Sequence, residues 1–356
     1  MIINFTDYIK CRHNFLNNLY NNIYSQYKEI KDKIYHRVVV PVYIPDFEGY
    51  FAGAFEVFKL CLESLLLTVH SQTRITIYNN NCHKDVKIYI DKKYYESEYI
   101  DQVFHSKKNV GKINAILASV KGNLEKLITV TDADVLFKNG WQTGVEKLFV
   151  NFPEAGMISP VPSSKSILGF TANNWFYSLF KGSLSFQKVL DPEAMHRFDI
   201  SLGNKQLLYK SIHLKKYLVL TNKKNNSQAV MGCGHFVATI KRTVFDKGSS
   251  EPAFVKISNG IESKFIDIPN QNLGFLRLAT KENFAFHMGN SSEPWMFEEF
   301  KILKKEISNG IDSSKVETKN FNKKAIFIGK IYRRMLMIKV FRNLLFRRFG
   351  IKDYPI

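Results

Sequence analysis

The run Leu127-Ile128-Thr129-Val130-Thr131-Asp132-Ala133-Asp134-Val135-Leu136-Phe137 constrains this chain more than any other stretch. Its first part, LITV, is short, β-branched and continuously apolar, as expected of a strand buried on both faces of a parallel sheet. Two carboxylates around one small residue stand where that strand should end. Open α/β sheets bind ligands beyond the carboxyl ends of their strands. Alternate strand residues point the same way, so Asp132 and Asp134 can reach one cation together. Oxygen ligands suit Mg²⁺ or Mn²⁺, and substrate phosphates commonly complete the coordination of such an ion. A polar turn with no further role carries the same letters, so the surroundings decide.

Upstream, strand and helix patterns alternate, which points to an α/β class. Residues 1–36 carry Leu16, Leu19, Ile23, Ile30 and Ile34 at helical spacing and read as one or two outer helices. RVVVPVYIP (37–45) reads as the first sheet strand, with Pro41 marking an irregularity or bulge. Residues 54–69 are helical by periodicity. Arg74–Tyr78 is a second strand, ending at Asn79-Asn80-Asn81-Cys82, and VKIYID (86–91) a short third. Asn109-Val110-Gly111-Lys112-Ile113-Asn114-Ala115 opens a helix running to about Val120. Asn109 can cap it, and Gly111 lets backbone approach a phosphate. Beyond the two aspartates come a turn at Asn139-Gly140-Trp141, a helix to about Phe149 and a strand at MISPVPS (157–163).

Taken together, residues 37–137 resemble the nucleotide-binding half of GT-A glycosyltransferases, especially the large family-two group that builds bacterial glycans. The second half resembles it loosely. The resemblance implies a GT-A, Rossmann-like, mostly parallel sheet flanked by helices, and transfer of a sugar from a nucleotide-diphosphate donor. It implies that Pro41, Val42 and Tyr43 lie near the donor base. Asn79 stands where the family carries an acidic base contact, and an amide can still hydrogen-bond a uracil or guanine edge. Asn109, Gly111 and Lys112 would meet the diphosphate, with Lys112 neutralising it. Asp132, Ala133 and Asp134 would form the donor and metal motif, with Asp132 and Asp134 ligating Mn²⁺ or Mg²⁺. His287, ending the strand Phe284-Ala285-Phe286, would be a third ligand. Each of these residues also has an ordinary reading as core, turn or cap.

The second half departs from the pattern. Residues 164–228 read as an insertion. Its cluster Asn173-Asn174-Trp175-Phe176-Tyr177 can stack on a sugar or simply fill the core. Ala229–Val237 resembles the Gly-rich strand that leaves room for a donor sugar. Where inverting relatives place their acids, this chain has Asp267-Ile268-Pro269-Asn270-Gln271-Asn272-Leu273-Gly274, with Arg277 following. A neutral amide cannot take a proton from an acceptor hydroxyl. Asp267 is therefore the expected general base, with Glu293 as another carboxylate in reach. A retaining mechanism, needing no base there, is the remaining option.

The 356 residues carry 51 Lys and Arg against 32 Asp and Glu, a net charge of +19, which implies anionic partners. No nucleic-acid-binding motif is present, so a sugar nucleotide and an anionic membrane are the expected partners, and nucleic acid is not. Residues 321–350 interleave Ile331, Met335, Ile338, Phe341, Leu345 and Phe349 with Lys and Arg. That pattern suits a basic amphipathic helix on an anionic membrane surface, or a terminal helix docked on its own domain. No transmembrane run and no signal sequence are read. Four scattered cysteines suggest no disulfide framework. The expected placement is cytoplasmic, peripheral on the inner face of the membrane, with a glycan or lipid-linked acceptor.

The expected domains are an N-terminal helical segment (1–36), a catalytic domain (37–297, split into 37–137 and 138–297), and a linker with the basic helix (298–356). Two other classes stay open. A sugar-nucleotide nucleotidyltransferase shares the sheet but needs a Gly-rich loop after the first strand, where this chain has Pro41-Val42-Tyr43-Ile44-Pro45-Asp46. A non-catalytic membrane or interaction protein would have no use for paired carboxylates beside a phosphate-binding turn.

Overall fold

In the computed structural model, residues 33–203, 208–249, 251–254, 261–352 and 354–355 are described. The helices expected within residues 1–36 lie almost wholly outside them. Four strands open the sheet: β1 (His36–Val42), β2 (Thr73–Asn80), β3 (Ile100–Ser106) and β4 (Leu127–Thr131). They are parallel and lie in the order β3-β2-β1-β4. Parallel neighbours need crossovers, and α1 (Ala54–Thr68), α2 (Lys84–Glu96) and α3 (Lys112–Lys121) supply them.

Strand alternation divides the core in two. Val38, Val40 and Val42 pack with Val57, Phe58, Leu62 and Leu65 of α1. Val39 faces the other way and joins Ile128 and Val130 against Ile113, Ile116 and Val120 of α3. Helices thus cover both faces, which is why LITV reads as an unbroken apolar run.

Two local expectations change. VKIYID is not a strand but the middle of α2, and the third strand is Ile100–Ser106. Val86 and Ile90 are the buried residues of α2, one turn apart, with Lys and Asp between and beyond them. One buried stripe outweighs β-branched propensity. His83 caps the helix by accepting from the Asp85 N–H at 3.3 Å. Pro41 makes no bulge: β1 pairs with β2 in unbroken register from His36 to Val42. Its pairing with β4 ends at Val39, so Pro41 lies beyond the doubly paired stretch and its missing N–H does little harm there.

The second half supplies β5 (Val135–Phe137), α4 (Trp141–Asn151), β6 (Ala155–Ser159), α5 (Ala172–Phe180), β7 (Gly182–Lys188) and α6 (Pro192–Ser201). There follow β8 (Lys216–Asn222), β9 (Gln228–Met231), β10 (Val237–Lys241), β11 (Leu276–Ala279), β12 (Ala285–His287) and α7 (Pro294–Lys301). β10 runs antiparallel between β4 and β6, and β11 parallel to β6. β9, β8 and β7 extend the sheet antiparallel to its edge, so ten strands form one mixed sheet. β5 and β12 pair separately.

Residues 164–228 carry that edge. Trp175 and Tyr177 are buried. Asn173 donates to the Gln271 and Phe275 carbonyls, and Asn174 to the Arg277 carbonyl. This cluster is core. The linker expected from residue 298 starts inside α7, and residues 302–320 form a strap along the domain: Glu306 N–H donates to the Leu67 carbonyl, Ile311 N–H to Tyr35 Oη and Lys319 N–H to the Pro153 carbonyl. The C-terminal stretch forms two helices, α8 (Lys323–Leu336) and α9 (Lys339–Arg348). α8 buries Ala325, Ile326, Gly329 and Leu336. A Cβ on Gly329 would stand 2.3 Å from the Ala172 carbonyl oxygen, so α8 seats against the start of α5. Residues Ile34–Ile356 make one compact unit.

Candidate donor and metal site

A cavity of about 350 Å³ opens beyond the carboxyl ends of β1, β2 and β4, the place where such sheets bind ligands. Pro41, Val42, Tyr43 and Ile44 line it from the end of β1, and Asp132, Ala133 and Asp134 from the end of β4. Tyr50 and Phe51 close one side, Gly289 and Asn290 another, and Asn80, Asn109, Gly111 and Lys112 the third.

Nine of the ten residues expected around the donor therefore share one cavity. Asn79 does not. Its Nδ2 meets His105 Nδ1 at 2.9 Å, and its Oδ1 accepts from the Cys82 N–H at 2.8 Å. Consecutive strand residues face opposite sides, and Asn80 is the one turned to the cavity. Asn80 Nδ2 donates to Asn109 Oδ1 at 3.0 Å, and its Oδ1 accepts from the Val110 N–H at 2.8 Å. Asn109 Oδ1 also accepts from the Gly111 N–H at 2.9 Å. Asn109 thus holds the turn before α3, while Gly111, at φ 85°, is the residue from which the helix starts. A positive φ of that size favours glycine. The free N–H groups of the first turn of α3 carry partial positive charge at the cavity.

Asp132, Asp134 and His287 come together although 153 residues separate the last two (287 less 134). The pairing of β5 with β12 sets His287 opposite Val135, and the Met288 N–H donates to the Asp134 carbonyl at 2.8 Å. One ligand atom from each of the three residues lies within 4.8 Å of the others. His287 Nε2 is 3.4 Å from Asp134 Oδ2. Its Nδ1 is 2.8 Å from Ser201 Oγ at the end of α6, which orients the ring. Asp134 Oδ1 is buried without a hydrogen-bond partner. Burial pushes the Asp134 carboxyl up to about 6, with Asp132 adding to the rise and His287 and Lys112 opposing it.

Lys112 Nζ is ion-paired with Asp132 Oδ1 and lies 3.6 Å from Glu262 Oε1. Burial lowers its pKa, but the carboxylates of Asp132 and Glu262 outweigh that and raise it, so it stays charged. Two carboxylates, one of them with the orphaned buried oxygen Asp134 Oδ1, and one imidazole are a donor set that fits Mn²⁺ or Mg²⁺.

Asp132 and His287 also line a second cavity of about 340 Å³, with Phe198, Tyr209, His235 and Phe236 among its walls. Asp267, the expected base, lies behind that wall, fully buried against His235 and Arg277. Glu293 accepts from Trp295 Nε1 at 3.1 Å and lines neither cavity. Sequence reasoning missed Asn80, Ser201, His235, Glu262 and the pair Tyr50 and Phe51. Asn80 and His235 lie inside stretches read for other reasons, and the others fall in no spaced motif. The neighbouring Asn79 and Asn80 were separable only by strand phase.

The other cluster with metal-like geometry among the described residues is His36, His70 and Glu146. It lies at the opposite end of β1, roughly 20 Å away at strand rise. His36 Nδ1 donates to Glu146 Oε1 at 2.7 Å, His70 Nε2 to the same oxygen at 2.9 Å, and Tyr35 Oη to Oε2 at 2.9 Å. These bonds satisfy the carboxylate without an ion.

The sequence matches no family profile and no curated protein. Among solved structures, the chain is similar to the GalNAc-T7 complex with UDP, GalNAc and Mn²⁺ at 13% identity, TM-score 0.44, over 73% of this chain and 44% of that one. It is similar to the mannosyltransferase PcManGT from Pyrobaculum calidifontis, in complex with GDP-Man and Mn²⁺, at 10% identity, TM-score 0.38, over 95% and 73%. It is also similar to S. aureus TarS 1–349 in complex with UDP-GlcNAc, at 16% identity and TM-score 0.28. That match spans 38% of this chain and about a third (36%) of the TarS chain. At these values the likenesses carry no argument about function. The chain's own strand order is that of an α/β fold whose β10 is reversed between β4 and β6, with the two carboxylates at the end of β4.

Proposed function

We propose that this chain is a metal-dependent glycosyltransferase that moves a sugar from a nucleotide-diphosphate donor to a glycan or lipid-linked acceptor in bacterial surface polysaccharide synthesis. The observation that carries the reading is the meeting of Asp132, Asp134 and His287 with Lys112 and the first turn of α3 beside one cavity. Pro41, Val42, Tyr43, Tyr50 and Phe51 form the slot for the base. Asn109, Gly111 and Lys112 take the diphosphate. We assign the donor to the uridine diphosphates in preference to the guanosine ones.

Asp132, Asp134 and His287 would hold Mn²⁺ or Mg²⁺, which when bound supplies Lewis-acid stabilisation of the leaving diphosphate. Lys112 adds a fixed positive charge beside the same leaving group. Ser201 keeps the His287 Nε2 lone pair aimed at the carboxylates. Tyr50, Phe51 and Asn290 flank the donor. We assign the reaction to the inverting class, with the second cavity receiving the acceptor.

The membrane partner rests on the C-terminal helices. Met337, Ile338, Val340 and Leu344 are exposed and lie among Lys339, Arg347 and Arg348. Among the described residues no helix is long and apolar enough to cross a membrane. Exposed apolar side chains set among cations suit binding at an anionic lipid surface.

The test is thermal unfolding with UDP, GDP or CMP, each with and without Mn²⁺. A ligand at 100 times its Kd adds about 2.7 kcal/mol to stability. A Mn²⁺-dependent rise for one diphosphate, absent in Asp134→Ala, is expected. No rise with any nucleotide overturns the reading.

A further inference from the structure

The second cavity contains a side chain that the donor site does not use. His235 stands in its wall with its side chain about one-third exposed, at 35%. Its Nε2 lies 2.7 Å from Asp267 Oδ2, and its Nδ1 bonds to no described residue. Asp267 is fully buried, and its Oδ1 lies 3.1 Å from Arg277 Nη2. The guanidinium is fixed in turn: Nη1 donates to the Gly169 carbonyl at 2.6 Å and Nη2 to the Cys233 carbonyl at 2.7 Å. Burial works against ionisation of Asp267, but His235 and Arg277 hold its carboxyl below the usual range. An ionised carboxylate only accepts. The proton of a neutral His235 therefore sits on Nε2, and Nδ1 keeps a lone pair.

We propose that His235 is the general base of the transfer, that Asp267 is its positioning residue, and that the second cavity holds the acceptor hydroxyl. The inference rests on the glycosyltransferase reading. Asp132 lines both cavities, so a group in the second sits beside the diphosphate end of the first. The rings of Phe198, Tyr209 and Phe236 offer apolar faces on which an acceptor sugar can stack. His235 Nδ1 takes the hydroxyl proton. The freed oxygen forms a bond to the anomeric carbon, and the bond from that carbon to the diphosphate oxygen breaks. The electron pair departs with the nucleoside diphosphate, and the imidazolium, paired with Asp267, later returns its proton to solvent. This dyad does the work that Asn270, Gln271 and Asn272 cannot do.

The test uses the full chain with Mn²⁺ and reads nucleoside diphosphate released from UDP-GlcNAc, UDP-glucose and GDP-mannose, with water or a simple glycoside as acceptor. His235→Ala should lower the rate about 100-fold or more, leave the thermal shift with nucleoside diphosphate intact, and regain rate with added imidazole. Asp267→Asn should lower kcat with KM little changed. Long-range ¹H–¹⁵N spectra of the wild-type imidazole should show the Nε2–H tautomer, and Asp267→Asn should lose it. A His235→Ala rate within twofold of wild type overturns the assignment, as does a loss confined to KM or a wild-type Nδ1–H tautomer. The tautomer decides the matter even where release is too slow to follow. Absence of any diphosphate binding in the wild type is a different failure, that of the glycosyltransferase reading itself.

Discussion

Asn79 and Asn80 illustrate how finely the site is set at the level of single residues. They are chemically identical and adjacent, yet one braces the end of β2 and the other faces the cavity. Asn79→Ala strands the Cys82 N–H, which should cost about 1–3 kcal/mol of stability in urea titration and leave nucleotide affinity unchanged. Asn80→Ala should do the reverse, loosening the Asn109 turn and weakening diphosphate binding measured by calorimetry. Equal effects of the two on affinity would contradict this division of roles. Gly111→Ala should cost at least about 1 kcal/mol, because a Cβ at φ 85° is strained, and should weaken the same binding. The motifs at 41–43, 109–112 and 132–134 could be read from letters because each lies within a few residues of a strand end. Asn80 could not, because a one-residue change of strand phase leaves the letters untouched.

At the level of elements, β5 and β12 matter more than their three residues each would suggest. Their pairing delivers His287, and α6 ends at Ser201 to orient it. Ser201→Ala should weaken Mn²⁺ binding about 10–100-fold by calorimetry, with little effect on folding; unchanged affinity would remove Ser201 from the site. Helix and strand alternation over residues 37–137 was legible because a doubly covered parallel sheet imposes both periods on the chain. Residues 86–91 read as a strand because Val86, Ile88 and Ile90 alternate as β-branched residues, while only two of them, Val86 and Ile90, form the buried stripe of α2. The antiparallel strands β7 and β8 lie in the stretch 164–228 that reads as an insertion, although β8 carries the buried apolar run Tyr217-Leu218-Val219-Leu220.

For the whole molecule, one end of the sheet carries the proposed donor site and the other braces. At the bracing end Glu146 is held down to about 2 by His36 and His70 although burial opposes it, and burial lowers His36 below its usual value. A lowered folded pKa means stability present above the unfolded value and lost as pH falls. His36 acts below about 6.5 and Glu146 from about 4.5 downward, so both act in the same direction. The Asp134 carboxyl, raised to about 6, titrates with the opposite sign, so the test is made in Asp134→Asn, whose midpoint of thermal unfolding should fall as pH drops below about 6.5. Glu146→Ala strands two buried imidazoles and should cost roughly 3–5 kcal/mol; a loss below 1 kcal/mol would contradict the bracing role. At the surface, Ile338→Glu with Val340→Glu should lower co-sedimentation with phosphatidylglycerol vesicles about tenfold or more while leaving the unfolding midpoint within a degree or two. Unchanged co-sedimentation removes these helices as the membrane contact.

Local patterning alone determined that this chain builds an α/β sheet opening with parallel strands, where β1, β4 and α3 lie, and that two carboxylates end a buried strand. Those features follow from which side chains neighbour one another along the chain, and burial periodicity records them directly. Tertiary pairing decided the rest: His287 opposite Val135, Asp267 behind His235 rather than facing the cavity, and the 302–320 strap tied along the domain. The C-terminal stripe also divided there, with Phe341, Leu345 and Phe349 packed half-buried against the core and Ile331, Met335 and Ile338 left exposed. Contacts between residues tens to hundreds of positions apart are selected by the free energy of the assembled core. No local period encodes them.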